Sequence, residues 1–407
     1  MISEVEKKNS NYQMTKLGML PTEWKVSKLY DEIENVLDFR GRTPKKLGMD
    51  WGNGNIAALS ANNVKMGYID FNAECYLASE ELYEKWMTKG DLKKGDVLMT
   101  MEAPLGKVAQ VPDNNKYILS QRVIALKSKR TLLNVYLKYY LMSDLFQSML
   151  EKNATGTTAK GINQKNLSKL EIIVPSLNEQ QKIAEILSAA DEQIEKNEQL
   201  IEKTKELKKG LIKQLLKKGI GHSDFKESEI GEIPFKWSVK TFEDVMVLQR
   251  GFDLPVQNRI EGDIPIVSAN GISGFHNELK IKAPGIITGR SGTIGKVHFI
   301  ERDYWPLNTA LYVKETYNND PKFLYYFLSE FKLERFSTGT GVPTLNRNNV
   351  HRIKIAIPEV KEQRKIAEIL SSVDNQIEVC ENLKEKQIEL KKALMQQLLT
   401  GKIRVTV

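Results

Sequence analysis

The chain has 407 residues, 41% hydrophobic and 28% charged, with a net charge of +8 and a pI near 9.0. This is a soluble, globular composition with room for two or three domains, and no apolar run approaches the ~20 residues that cross a bilayer. Two cysteines, Cys75 and Cys380, supply neither a disulfide framework nor a paired metal motif, and the basic balance suits a polyanionic partner but is too dispersed to identify one.

Residues 1–16 are expected to form a flexible arm, and their lack of an apolar signal core points to the cytoplasm. A first domain is placed at 17–177. It opens with GMLPTEWKVSKL, Gly18–Leu29, and this opening returns as GEIPFKWSVKTF, Gly231–Phe242. Further segments return in the same order. FRGRTP (Phe39–Pro44) answers QRGFDLP (Gln249–Pro255), and ALSANNV (Ala58–Val64) answers IVSANGI (Ile266–Ile272). LGKV (Leu105–Val108) answers IGKV (Ile294–Val297), and YLKYYL (Tyr136–Leu141) answers FLYYFL (Phe323–Leu328). TGTTAKGINQKNL (Thr155–Leu167) answers TGTGVPTLNRNNV (Thr338–Val350). The offset between copies shrinks around Lys65–Gly95, so the first copy carries an insertion there. Asp96–Met101, Gly285–Thr288, Ile172–Val174 and Ile355–Ile357 read as strands. Asn134–Leu150 and Pro321–Phe336 read as amphipathic helices whose aromatics belong to a core.

The longest match is EQQKIAEILSAADEQIE, Glu179–Glu195, against EQRKIAEILSSVDNQIE, Glu362–Glu378, with no gap. Each copy is a helix with a heptad seam: Ile183, Leu187, Ala190, Ile194, Ile201, Leu211 and Leu215 in one, Ile366, Leu370, Val373, Ile377, Cys380, Leu394 and Leu398 in the other. Asn197, Thr204 and Lys208 interrupt the first seam, and Leu200 and Leu207 suggest a local shift of the stripe. Asn178 is the expected cap of the first helix. Such a helix cannot bury its stripe alone, and the economical partner is its own copy. The divisions are therefore 178–220 for the first coiled-coil helix, 221–360 for a second domain, and 361–407 for the second helix and tail. The fold class is α+β: two tandem-repeated mixed α/β domains joined by two long helices.

Catalytic chemistry is hard to find. His222, His276, His298 and His351 have no metal spacing and no Ser or Cys partner in a motif. GRSGTIGKV, Gly289–Val297, resembles a phosphate loop but places Arg290 and Val297 where that loop needs Gly and Ser or Thr. No methyl-donor glycine fingerprint and no Asn-Pro-Pro tetrapeptide occur, so the chain reads as non-enzymatic. The turns instead carry side chains that hold phosphates and read base edges. Arg40, Arg42, Lys45 and Lys46 share one turn, and Arg250 and Arg259 flank its counterpart. Asn62, Asn63 and Asn270 follow Ser-Ala pairs at strand ends. Arg290, Ser291 and Thr293 form a turn that differs in chemistry between copies. Thr157, Thr158 and Lys160, like Thr340, Thr344, Asn346 and Arg347, precede short helical patterns whose free N–H groups would suit phosphate.

The doubled motif Thr155–Leu187 and Thr338–Leu370, with the openings LPTEWKVSKL and IPFKWSVKTF, resembles the specificity subunit of type I restriction–modification systems over nearly the whole chain from Leu17. The resemblance implies two target-recognition domains, each reading half of a bipartite double-stranded DNA site. It implies an antiparallel coiled coil that sets the gap between half-sites. It also implies assembly with two modification subunits, which hold S-adenosylmethionine, and with restriction subunits that use ATP and Mg. This chain would itself hold no cofactor and no metal and would not meet a membrane. Two other functions fit parts of the sequence: a stand-alone methyltransferase or nuclease, and a coiled-coil scaffold that binds only proteins.

Overall fold

The computed structural model describes residues 11–157, 159–338 and 343–406. They fall into two compact units, Met1–Lys196 with Lys384–Val407 and Asn197–Leu383. Each unit therefore takes a domain together with a segment of both long helices.

Unit 1 starts with a hairpin, β1 (Tyr12–Thr15) on β2 (Gly18–Pro21). The Tyr12 hydroxyl donates to Gly401 O at 3.0 Å, and the Gln13 amide donates to the Thr22 and Trp24 carbonyls. Most of the described part of the expected arm is thus folded, and residues 1–10 lie outside the description. Then come β3 (Lys25–Lys28), β4 (Ile33–Asp38), β5 (Ile56–Leu59), β6 (Tyr76–Ala78), α1 (Glu80–Trp86), β7 (Val97–Thr100), β8 (Val108–Gln110), β9 (Tyr117–Leu119) and β10 (Val123–Ser128). The unit continues with α2 (Asn134–Met142), α3 (Asp144–Lys152), α4 (Gln164–Leu167) and β11 (Glu171–Val174). The single helix expected over Asn134–Leu150 is two. Ser143 ends the first and caps the second, its Oγ accepting from Phe146 N at 3.3 Å.

One antiparallel sheet, ordered β4-β10-β7-β8, organises the unit. β10 reads VIALKS, an apolar run, because both of its faces are covered. Side chains alternate across a strand. Ile124 and Leu126 therefore join Val97 and Met99 in the core under α2 and α3. Val123 and Ala125 join Leu98 in a second core, under the three-stranded sheet β6-β5-β9. Within that sheet β5 runs parallel to β9 and antiparallel to β6. A separate ladder pairs β3 with β11.

α5 (Leu177–Lys218) begins in unit 1 and ends in unit 2. Unit 2 continues with β12 (Phe225–Lys226), β13 (Ile233–Pro234), β14 (Ser238–Thr241), α6 (Phe242–Val245), β15 (Val247–Arg250), β16 (Ile264–Ser268), β17 (Gly271–His276), β18 (Gly285–Gly289) and β19 (Val297–Ile300). After these come β20 (Trp305–Pro306), β21 (Ala310–Glu315), α7 (Pro321–Glu330), β22 (Ser337–Thr338), β23 (Thr344–Leu345), α8 (Arg347–His351), β24 (Lys354–Ile357) and α9 (Val360–Leu398). The topology repeats strand for strand: β15-β21-β18-β19, β17-β16-β20 with β16 parallel to β20, and β14 with β24. Between β5 and β6 unit 1 spends residues 60–75, and it reaches β7 through α1. Unit 2 turns from β16 into β17 at residues 269–270. This is the insertion expected around Lys65–Gly95.

The long helices meet in both units. In unit 1, Ile183 and Leu187 share a core with Leu398 and Leu399. In unit 2, Ile212 and Leu215 share one with Ile366 and Leu370. Contacts from Asn197 Nδ2 to Cys380 O (2.9 Å), Lys208 to Asp374 (2.5 Å) and His222 to Glu362 (2.9 Å) pair rising with falling numbers, so the helices are antiparallel. The seam does not shift at its polar middle. Leu200 and Leu207 are exposed, whereas Asn197 and Thr204 are buried. Their polar groups bond to backbone carbonyls, Cys380 O and Leu200 O respectively, so the stripe tolerates them.

The repeated Glu-Gln at each helix start explains the repeated Trp before it. Trp24 Nε1 donates to Glu179 Oε2 at 3.1 Å, and Trp237 Nε1 donates to Glu362 Oε2 at 3.2 Å. The Gln180 carbonyl oxygen accepts from Leu133 N and that of Gln363 from Asp320 N, which seats the neighbouring helix each time. The Tyr139 hydroxyl donates to Asp191 at 2.7 Å, and that of Tyr326 to Asp374 at 2.6 Å. Ser176 rather than Asn178 caps α5, its hydroxyl oxygen accepting from Glu179 N at 3.3 Å.

Candidate nucleic-acid interface

Antiparallel pairing decides where the loops go. In unit 1, Asp38 at the end of β4 lies opposite Ile124, and Thr100 at the end of β7 lies opposite Val123. The loops after β4, after β7 and before β10 therefore share one rim of the sheet. The parallel β5–β9 pair adds the loops that follow both, joined where Ser120 N donates to Leu59 O at 2.8 Å. The 155–161 loop closes on itself through Thr155 and Gly161 and is held to the rim by Ile162 N on Met101 O. In unit 2, Arg250 lies opposite Leu311 and Gly289 opposite Ala310. Leu307 N donates to Val267 O, and Leu345 N to Arg290 O, completing the same rim. Loops scattered through the sequence are thus gathered at one end of each domain.

The unit 1 candidates divide by what holds them. The Asp38 carboxylate clamps Arg40 bidentately, with Nη2 to Oδ2 at 2.7 Å, and also accepts from the Gln164 amide. Burial would push the Asp38 carboxyl up, but these hydrogen bonds hold it below its ordinary range. Tyr30 is half-buried beside this pair; burial, with Asp38, pushes its phenol up to about 12. Arg42 reaches the Trp86 carbonyl at the end of α1 and lies over the Phe39 ring, a fastening for that helix. Lys46 donates to Gly41 O at 2.7 Å. Asn63 is only 1% exposed, and its amide is spent on Ser60, Asp70 and Ala73. It lies behind the surface and shapes the loop that presents Asn62. Asn62 is exposed and donates to Glu74 O. Thr157 is exposed, and Lys160 stands 4.0 Å from Glu151. Thr158 and Thr340 lie outside the described residues.

A cleft of about 780 Å³ opens on this rim, lined by Lys45, Asn62, Lys65, Lys107, Gln121 and Arg122 and walled by Trp51 and Tyr76. Among the described residues, the side chains of Lys45, Lys65 and Lys107 have no hydrogen-bond or ion-pair partner, and Arg122 is 3.9 Å from Glu102. Of these, only Lys45 and Asn62 stood out in the sequence. Lys107 lies in the repeated LGKV, a signal that could have found it. Trp51 and Tyr76 come together only through β6, across a stretch with no counterpart motif.

In unit 2, Arg250 pairs with Asp253 at 3.1 Å, and Asn308 also bonds Asp253. Arg290 Nη1 donates to Asn308 O at 3.3 Å, so two candidate arginines join one polar network. Ser291 bridges to Thr344, and Thr293 and Asn270 are exposed. Asn346 caps α8, its Oδ1 accepting from Asn348 N at 3.0 Å, as Asn163 caps α4 at 2.8 Å. The helix starts expected to receive phosphate are therefore engaged by their own asparagines. Arg347 turns inward to Leu248 O, and Arg259, in the loop that follows β15, lies over β17. The histidines have structural surroundings: His276 and His351 are buried, and His351 Nε2 accepts from Leu248 N at 3.0 Å. Among the described residues no group of three His, Cys, Asp or Glu side chains could hold a metal, and no helix is long and apolar enough to cross a membrane.

The model of the type I restriction modification DNA specificity domain matches residues 21–206 and again 234–390. The chain belongs to this family. As a member carrying the domain twice, it supplies DNA sequence specificity to a type I restriction–modification system and is not itself a catalytic component. It is 28% identical to the MjaVIII type I specificity subunit of Methanocaldococcus jannaschii, over 98% of this chain and 97% of that one. The EcoprrI specificity subunit of Escherichia coli is 22% identical over 86% of this chain and 90% of its own. The fold is that of a crystal structure of the S subunit from M. genitalium, with a TM-score of 0.59 at 18% identity, covering 92% of this chain and 96% of the other.

Proposed function

We propose that each unit reads one half of an asymmetric, bipartite double-stranded DNA site through its rim loops. The paired helices set the gap between the halves and dock two modification subunits. Those partners would hold S-adenosylmethionine, and restriction subunits would bring ATP and Mg, leaving this chain to act in the cytoplasm without a cofactor of its own. The observation that carries this reading is the double gathering of cationic and amide-bearing loops at one rim of each domain, on frames that repeat strand for strand. Because the rims differ in side chains, the two half-sites should differ. A few bidentate contacts per rim, each worth roughly 1–3 kcal/mol of discrimination, are enough to specify a half-site.

The test is the site selected from random duplexes by the full chain assembled with its modification partner. A split site with two unlike halves supports the reading; a single unbroken site or none defeats it. A steep loss of affinity with salt separates it from a scaffold that binds only proteins.

A further inference from the structure

One slot breaks the duplication. Gly54 and Gly262 occupy equivalent places, each two residues before the inner strand of its three-stranded sheet. A Cβ at Gly54 would fall 2.2 Å from Ala78 O, and one at Gly262 would fall 2.5 Å from His276 O, so both admit only glycine and fix the register of what surrounds them. The residue three before each is Trp51 in unit 1 and Arg259 in unit 2. The residue that faces them from the neighbouring strand is fixed by pairing: Tyr76 opposite Ala58, and Gly274 opposite Ile266.

In unit 1 the slot is aromatic. Trp51 stacks on Tyr76 with centroids 5.2 Å apart at 7°, and Trp86 backs Trp51 at 5.3 Å. The column ends in Tyr76, 61% exposed, with no described ring or cation on its outer face. In unit 2 a cation fills the same slot. Arg259 Nη1 lies 3.7 Å from where a Cβ on Gly274 would be, so the missing side chain makes room for the guanidinium. Arg259 is half-buried, and its guanidinium has no hydrogen-bond or ion-pair partner among the described residues. An unpaired guanidinium is costly to hold inside a fold, and a ligand that accepts from its outer N–H groups would satisfy it.

We infer that these equivalent slots are specificity-determining subsites of the two rims: Arg259 reads guanine through its O6 and N7 acceptors in one half-site, and the Trp51–Tyr76 column reads the thymine methyl in the other. The inference rests on the half-site reading above and assigns chemistry to each half. A guanidinium fork matches the paired guanine acceptors in the major groove, and an apolar face matches the thymine methyl. Lys65 and Lys107 beside the aromatic slot take the phosphates of the same strand.

The experiment uses the full chain in its modification complex, first selecting its site from random duplexes and then repeating the selection with Arg259→Ala, Arg259→Lys and Tyr76→Ala. Arg259→Ala relaxes one base pair of one half-site and weakens cognate binding roughly tenfold or more; Arg259→Lys does not restore it. Replacing the guanine read there by 7-deazaguanine weakens wild type but not Arg259→Ala. Tyr76→Ala relaxes one base pair of the other half-site, and deoxyuridine in place of its thymidine weakens wild type but not Tyr76→Ala. Unchanged selection by the variants, or an equal loss on every sequence, overturns the slot assignment while the two-reader account stands. A wild-type complex that selects no split site overturns both.

Discussion

The corner where each long helix begins and the slot beside each inner strand differ in what the duplication kept. At the corners, Trp24 on Glu179 and Trp237 on Glu362 repeat to within 0.1 Å (3.1 and 3.2 Å), and the glutamines and tyrosines that follow repeat with them. At the slots, a glycine and one strand pairing are matched, yet an aromatic column stands in one and a guanidinium in the other. A frame can be copied because its bonds are internal. On the two-reader proposal, a surface that meets two different sequences has to diverge, as the slots do.

The largest effect should come from breaking the frame. Trp24→Ala and Trp237→Ala should each cost about 3–5 kcal/mol, alike within about 1 kcal/mol, read by denaturant unfolding with a probe in each unit. A tolerated substitution on one side only would mean that the corners are not equivalent.

The next effect distinguishes the corners. Glu179 is 1% exposed and meets Arg404 Nε and Nη2 at 2.9 and 2.8 Å, whereas His222 stands beside Glu362. Burial alone would raise the Glu179 carboxyl, but Arg404, Trp24 and Ser176 bring it below its ordinary range. Its folded pKa is depressed, so this stabilisation is present above the unfolded value of about 4.3 and is lost as pH falls through the folded value. Arg404→Ala should destabilise unit 1 by about 2 kcal/mol, reduced from a fully buried pair because Arg404 is partly exposed, and should flatten that acid-side loss. An unchanged acid profile would remove Arg404 from the account.

A smaller effect belongs to the rim. Removing Lys45, Lys65 and Lys107 together should make the slope of log K against log salt shallower by about 2.7, at 0.9 per phosphate, equally on all duplexes. A change in sequence preference would instead make these lysines base readers. Smallest is Arg42→Ala, which unfastens α1 and should cost about 1 kcal/mol with little change in the salt slope; a large slope change would restore Arg42 as a phosphate contact.

Much of the frame could be read from residue order. The matched openings and Glu-Gln starts predicted two domains on one plan, and the heptad spacing predicted that the two long helices pair, their antiparallel direction coming from the family resemblance. Both depend on local spacing, which a sequence displays directly. The stripe at Leu200 and Leu207 misled because apolarity was weighed above the capacity of Asn197 and Thr204 to find carbonyl partners inside the seam. Asn63 was misjudged because burial depends on how residues 60–75 fold back. Arg42 was a cation in a turn until α1, from a non-repeated stretch, put a carbonyl in front of it. The aromatic column was invisible for the same reason: Trp51, Tyr76 and Trp86 have no periodicity in common and come from a loop, a strand and a helix that meet only in the fold.

The most direct measurement of the central claim is a methylation map of cells in which residues 245–345 of this chain have been exchanged for those of a relative with another target. The account predicts that one half-site is replaced while the other half and the gap between them stay as they were. A map in which both halves change would contradict it.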